Sequence, residues 1–513
     1  MLKSQIIRCC SLSVAVAAGN CCNQALAQSS FDDFKLQLEE KFNKFKDSKQ
    51  KEFEDYRNKV NQEFAEYMRH TWDRHEPEPP VPAPSLPEPP EPIVADPEDS
   101  PSDDTLPFAD VVPVPDEPEP PVPFLPSSEG ESPKIKVSPV LPSDPKITPP
   151  SLPTGKTIPF DFYGSRYSLP FDNKLNVSLI GVDENSVADA WSALSAAETV
   201  DLLRQCVELR DMLCLPDWGY LLLAGKIADA IFPKDHNVAT LMQMFLLTQS
   251  GYKVRIARQD NDLVILMPCR ERIYNYSYVP KNGINYYIIG RGGRTGSIYV
   301  FDREFPREKQ FSLSIGRQPG LPISQNQSRN FTVQYPVGIN VDVSVNQNLI
   351  DFYNDYPLHS NWNLYSRASL SEDVKEQLYP ALRNAISGRT KKDSANILLH
   401  FVQKAFSYQT DDVQFGVERP LFPDETFHYP YSDCEDRAIL YSVLVKDLLD
   451  LDMVLVTYPG HLATAVRFDE DVIGDYFDID GKRYTVCDPT YINADIGMAM
   501  KQFKNASAEI IRL

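Results

Sequence analysis

The chain has 513 residues, a formal net charge of −21 and 43 prolines. That length allows more than one domain, and that charge repels phosphate backbones, which argues against nucleic acid as a partner. The acid is concentrated, with 14 Asp or Glu and no Lys or Arg between Pro77 and Pro133.

The first residues read "MLKSQIIRCCSLSVAVAAGNCCNQALAQ". A basic start at Lys3 and Arg8, an apolar stretch and Ala25-Leu26-Ala27 form the pattern of a secretory signal over residues 1–27. The apolar run is too short to span a bilayer. The expectation is an exported protein: periplasmic, envelope-associated or extracellular. Beyond the signal lie five cysteines: Cys206, Cys214, Cys269, Cys434 and Cys487. An odd number in so long a chain is not a disulfide framework, so at least one stays a thiol.

Residues 28–76 carry a repeat. Phe31, Phe42, Phe53 and Phe64 recur every 11 residues, in step with Phe34, Phe45, Tyr56 and Tyr67. Eleven residues is about three turns at ~3.67 residues per turn, which predicts one long helix with an aromatic stripe. Such a stripe packs on its own protein or on copies of itself; the sharper reading is docking to an envelope partner through residues 31–75.

Residues 77–153 hold 26 of the 43 prolines. A stretch so rich in proline and acid cannot form a core and predicts a disordered, self-repelling spacer with polyproline II character.

Helical and then strand patterns follow twice. In 154–315 the helices are "SVADAWSALS", "ETVDLLRQCVELRDML", "WGYLLLAGKIADAIF" and "NVATLMQMFLLTQSG"; the strands are "YKVRIAR", "DLVILMP", "NYYIIG" and "SIYVFD". In 316–513 the helices are "SEDVKEQLYPALRNAI", "SANILLHFVQKAF" and "SDCEDRAILYSVLVKDLL"; the strands are "DMVLVTY", "HLATAVRF", "GDYFDI", "RYTVCD" and "AEIIRL". The stretch from Thr240 lies on the stretch from Ile439 without a gap over 28 positions, with matching apolar pattern. This predicts two copies of one fold.

The second copy concentrates the chemistry. Ser432-Asp433-Cys434-Glu435 reads as a capping box, which sets Cys434 in the first turn of a helix, where the dipole favours thiolate. His461 opens a strand and supplies an imidazole suited to moving protons near neutral pH. Asp488 closes a strand before Pro489 and could fix the imidazole tautomer. Strand alternation then turns Cys487 away from it.

"DCEDRA", "GHLATAV" and "YTVCDPTY" together resemble the transglutaminase-like superfamily, a branch of the papain-like cysteine enzymes, over roughly residues 370–500. The resemblance implies Cys434 as nucleophile, His461 as general base and acid, and Asp488 as the group that orients His461. It implies no cofactor and no metal. "FPDETF" is similar to the segment that precedes the nucleophile loop. Gln414 and Tyr408 are candidates for the oxyanion or substrate contacts. The expected fold is α+β: tandem transglutaminase-like (papain-like) domains, preceded by a long helix and a proline-rich linker. The expected activity is acyl transfer on peptide or amide bonds of a peptide or protein substrate, hydrolysis before cross-linking. The alternative is a catalytically silent envelope scaffold. In the first copy Asp235 falls opposite Cys434 and Asp262 opposite His461, which predicts a degenerate copy without nucleophile or base.

Overall fold

The structure, a computed structural model, describes residues 51, 55, 57–84, 91–108, 110–112, 157–170, 175, 177–197, 199–290, 296–301, 308–324, 327–359 and 361–513. The signal segment, the repeat positions Phe31, Phe42 and Phe53, and the part of the proline-rich segment from 113 on lie outside the described residues. The chain divides into two compact units: residues up to 66 with 126–130, and the remainder from 67 on. In the first unit, residues 57–66 are helical. The second unit is mixed α+β.

Apolar alternation and turn residues build two six-stranded sheets of the second unit. One runs, in spatial order, Tyr278–Lys281, Ile284–Ile289, Asp262–Cys269, Arg255–Gln259, Ile298–Val300 and Asp73–His75. The other runs Tyr476–Ile479, Lys482–Cys487, His461–Val466, Met453–Tyr458, Glu509–Arg512 and Asp110–Val112. The strand order is the same in both. The register is the same too: Gln259 faces Asp262 as Tyr458 faces His461, and Arg255 faces Leu266 as Val454 faces Ala465. These are the positions that the gapless overlay of the sequence makes equivalent. Each sheet has a two-residue hairpin, at Asn282-Gly283 and Asp480-Gly481, where both residues take positive φ (51° and 75°; 54° and 71°). That backbone matches strand twist and is tolerated by Asn, Asp and Gly.

A helix precedes each central hairpin. His236–Gln249 packs on the first sheet and Cys434–Leu449 on the second, and Asp217–Ile231 and Lys391–Ala405 pack against those helices. In the second sheet Val454 and Val456 face one apolar cluster with Ala463, Ala465, Phe477 and Val486. Leu455, between them, faces the other side with Leu462, Ala438 and Cys434. Burial on both faces is why these strands read as near-continuous apolar runs. The helix Cys434–Leu449 ends at Asp450, whose left-handed φ of 50° turns the chain back into Met453–Tyr458.

Both sheets fall in one unit, and the segment between them bonds to both sides: Trp218 Nε1 donates to Asp355 O at 2.8 Å, and Arg329 Nη1 donates to Phe427 O at 3.0 Å. Several elements had no strong sequence signal. They include the hairpins Thr157–Phe162 with Ser165–Pro170 and Arg329–Val333 with Ile339–Val343, and the short helices Gln347–Asn354, Trp362–Arg367 and Pro423–His428.

The acidic segment departs from a free spacer over its described residues. Residues 91–108 lie along the second sheet's loops, and Asp110–Val112 adds a parallel edge strand beside Glu509–Ile511. Its charge meets cations instead of repelling itself: Asp99 pairs with Lys501, Asp103 with Arg483 and Asp104 with Lys504. Surface pairs of this kind add little each, so the apolar anchors Ala95 and Leu106, both buried, matter more. Among the described residues no helix is long and apolar enough to cross a membrane.

Candidate active site

Cys434 is the first residue of its helix. The cap is displaced by one residue from the expected box. Asp433 is the N-cap, and its backbone N donates to Asp436 Oδ2 at 3.4 Å. Ser432 is unavailable as a cap because its Oγ accepts from Arg437 Nε at 3.2 Å. Glu435, the expected partner of that box, instead brings Oε2 to 3.4 Å from the Cys434 thiol. The thiol sulfur accepts the backbone N–H of Leu462 at 3.2 Å. The helix start and the donated N–H favour a thiolate at this position, while burial and the Glu435 carboxylate beside the sulfur favour the thiol.

Leu462 follows His461, so that same contact brings the start of the histidine strand to the sulfur. His461 Nε2 lies 2.9 Å from Asp488 Oδ2. With Nε2 committed to the carboxylate, Nδ1 is the nitrogen left to exchange a proton. Asp488 is fixed in turn: Oδ1 accepts from Thr490 N at 2.9 Å and Tyr491 N at 3.2 Å. Its backbone carbonyl accepts from Gln403 Nε2 at 3.1 Å. The ring of Phe503 stacks on the imidazole with centroids 5.0 Å apart and planes parallel. Cys434, His461 and Asp488 are all buried, at 1%, 3% and 3% exposure, so the site is closed over. Trp362 and Leu513 pack against the cluster that contains Cys434.

Tyr408 and Gln414 sit beside the two-residue strand that leads into Cys434. Ser407–Tyr408 pairs in parallel with Tyr431–Ser432. Tyr408 lies under the Arg437 guanidinium at 5.4 Å, and Gln414 exchanges both amide atoms with the Tyr431 backbone (3.4 and 3.2 Å). Arg437 is fully buried, donating to Phe406 O at 2.9 Å and Gln403 O at 3.3 Å. Burial lowers it to about 10, so it stays cationic at neutral pH among Asp433 and Asp436.

Carboxylates collect around this cation. Asp433 Oδ2 accepts from Asp411 N at 3.1 Å, and Asp436 Oδ1 accepts from Leu421 N at 2.8 Å. Asp411, Glu418 and Glu435, and likewise Asp411, Asp433 and Asp436, bring carboxylate oxygens within 4.8 Å of one another. Those sets of hard oxygen donors could hold a divalent cation. In "FPDETF", Asp424 accepts from Ser371 N at 3.0 Å and from Ser371 Oγ, and burial pushes its carboxyl up to about 7. Glu425 pairs with Arg419 at 2.6 Å.

Sequence reasoning missed Trp362, Gln403 and Phe503. Each lies outside the three motifs and reaches the site only through tertiary contact: Trp362 and Phe503 by packing, Gln403 by its hydrogen bond to Asp488 O. Cys487 turns into the core, where burial pushes its thiol up to about 12.

The first copy keeps the scaffold and lacks the groups. Asp235 caps its helix by accepting Val238 N at 3.0 Å. Asp262 opens the strand that corresponds to the one His461 opens. Ile289 faces Ile265 as Cys487 faces Thr464, which puts Gly290 at the place of Asp488. No family model, no curated protein and no solved structure matches the chain.

Proposed function

We propose that the chain is an exported cysteine-dependent acyl-transfer enzyme of transglutaminase-like fold, acting on peptide or amide bonds. The observation that carries this reading is the buried His461 Nε2–Asp488 Oδ2 pair at 2.9 Å, on a strand whose next backbone N–H meets Cys434 Sγ at 3.2 Å. A buried imidazole–carboxylate pair whose strand also meets a buried thiol is the kind of titratable cluster that marks a functional site.

In this reading the Cys434 sulfur attacks the carbonyl carbon, and the carbonyl π electrons move to oxygen. The helix start supplies backbone N–H groups for that oxyanion. His461 gives its proton to the departing amine as the C–N bond breaks, leaving a thioester. Water then attacks, His461 takes its proton, and the sulfur leaves. Water at ~55 M outcompetes scarce amines unless excluded, so peptidase or amidase activity ranks ahead of cross-linking. Substrate reaches the thiol when the cover at Trp362 shifts. The first copy serves binding or support.

A p-nitrophenyl ester tests this. A burst of nitrophenol with one acyl mass on Cys434, abolished in Cys434→Ala and slowed at least tenfold in His461→Ala, is expected. Added glycine amide then reports whether the thioester goes to water or to amine. The 1% exposure of Cys434 favours the second reading, a silent envelope scaffold. Absence of any acyl mass on Cys434 in the folded protein selects it.

A further inference from the structure

We propose that the acidic segment 91–108 is an intramolecular clamp on the site, acting through Phe503, which is a positioning residue for His461. This rests on the thiol–imidazole reading above.

One hydrogen bond fixes one edge of an imidazole. Held only at Nε2, the His461 ring can still swing about the line to Asp488 Oδ2, which moves Nδ1, the nitrogen that the reading above assigns to the thiol. The Phe503 face blocks that swing. It lies parallel to the imidazole at 5.0 Å, and Tyr458 stacks on both rings, 4.5 Å from Phe503 and 6.3 Å from His461.

Phe503 ends a three-residue 3-10 turn, Lys501–Phe503. Asp475, which accepts Ala499 N at 2.9 Å, and the acidic segment together seat that turn. Lys501 Nζ meets Asp99 at 2.8 Å; Lys504 Nζ donates to Ser102 Oγ at 2.6 Å and to Asp475 Oδ1 at 2.9 Å. Ala95 and Ile93 pack with Tyr491, Met498 and Met500 in a cluster that Phe503 also joins. Leu106 packs in the cluster that holds Tyr458, again with Phe503 against it. Two backbone bonds fix the register: Ala95 N to Ile492 O at 2.8 Å and Ile492 N to Ile93 O at 2.9 Å. Segment and turn are complementary in charge, since residues 91–108 carry six carboxylates and no Lys or Arg. Phe503 stacks on the imidazole and packs against both clusters that hold the segment's apolar anchors, Ala95 in one and Leu106 in the other.

The test is the pH dependence of iodoacetamide labelling at Cys434, read by mass spectrometry on the full chain, with melting followed in parallel. Phe503→Leu keeps apolar bulk but not the flat face, and a roughly two- to tenfold fall in labelling rate at pH 6 is expected. Phe503→Tyr restores the wild-type profile. The combined variant Asp99→Asn, Ser102→Ala, Leu106→Ala touches no triad residue and gives the same fall, which does not add to that of Phe503→Leu. A folded segment variant with the wild-type profile overturns the clamp, as does an effect that adds in full. His461→Ala separates the two readings. If it leaves labelling unchanged, the thiol–imidazole reading fails and takes the clamp with it. If it shifts labelling while the Phe503 and segment variants do not, the clamp alone is wrong.

Discussion

Asp488→Asn changes almost no volume and reverses one hydrogen bond. Asp488 Oδ1 accepts two backbone N–H groups, from Thr490 at 2.9 Å and Tyr491 at 3.2 Å. An asparagine keeps its oxygen there, so its NH2 replaces Oδ2 and points at His461 Nε2. Donor then faces donor. The imidazole relieves this by presenting a lone pair at Nε2 and carrying its proton on Nδ1, the nitrogen that must accept from the thiol. A hydrogen bond to a charged group is worth about 1.5–3 kcal/mol, more than a neutral one, and both groups here are buried. At 1.36 kcal/mol per pH unit this moves the midpoint of Cys434 alkylation up by about one to two units. The acyl burst slows by roughly ten- to a hundredfold on the same arithmetic. Iodoacetamide labelling across pH 4–10 with peptide mass spectrometry measures the first, and stopped-flow nitrophenol release the second. A folded Asp488→Asn protein with the wild-type midpoint and burst rate would refute the assignment of Asp488 as the orienting group.

Three further outcomes are expected. Burial holds the Asp424 carboxyl at about 7, above its unfolded value, so its contribution to stability is complete below about pH 4 and is lost as pH rises to about 7. Asp424→Asn removes this titration; wild type loses up to about 4 kcal/mol relative to the variant over that window in urea titrations, and parallel curves would contradict it. At Gly497, φ is 88° and an added Cβ would lie 2.6 Å from Gly474 Cα, so Gly497→Ala lowers stability by about 3 kcal/mol or more. A melting point within a degree of wild type would show that the loop after Asp488 yields freely. Cys487→Ala costs about 1–2 kcal/mol for a vacated core position and leaves the labelling profile of Cys434 in place. Native-state labelling of Cys487 ahead of Cys434 would reverse their assigned roles.

The long helices were legible in the sequence because their apolar spacing is strong: Asp217–Ile231, His236–Gln249, Lys391–Ala405 and Cys434–Leu449 fall where the periodicity puts them. The equivalence of the two halves was legible for the same reason, and the common register of Gln259–Asp262 and Tyr458–His461 follows from hairpins of equal length. Cys434, His461 and Asp488 stand out in the sequence because each opens or closes an element, and it was the resemblance of their motifs that grouped them. The cap was read one residue early, since only the fold commits Ser432 to Arg437.

What the sequence could not determine is whatever depends on contacts between distant segments. Composition set the acidic segment apart as unable to form a core of its own, and that remains true of its chemistry. Only the tertiary structure supplied the lysines, the sheet edge and the apolar cluster that residues 91–112 lie against. Phe503 and Trp362 carry no local pattern, because an aromatic ring's meaning comes from what it packs on. Hydrophobic spacing and turn chemistry are local and are written along the chain; burial, charge pairing and the closure over Cys434 exist only once the chain has folded back on itself.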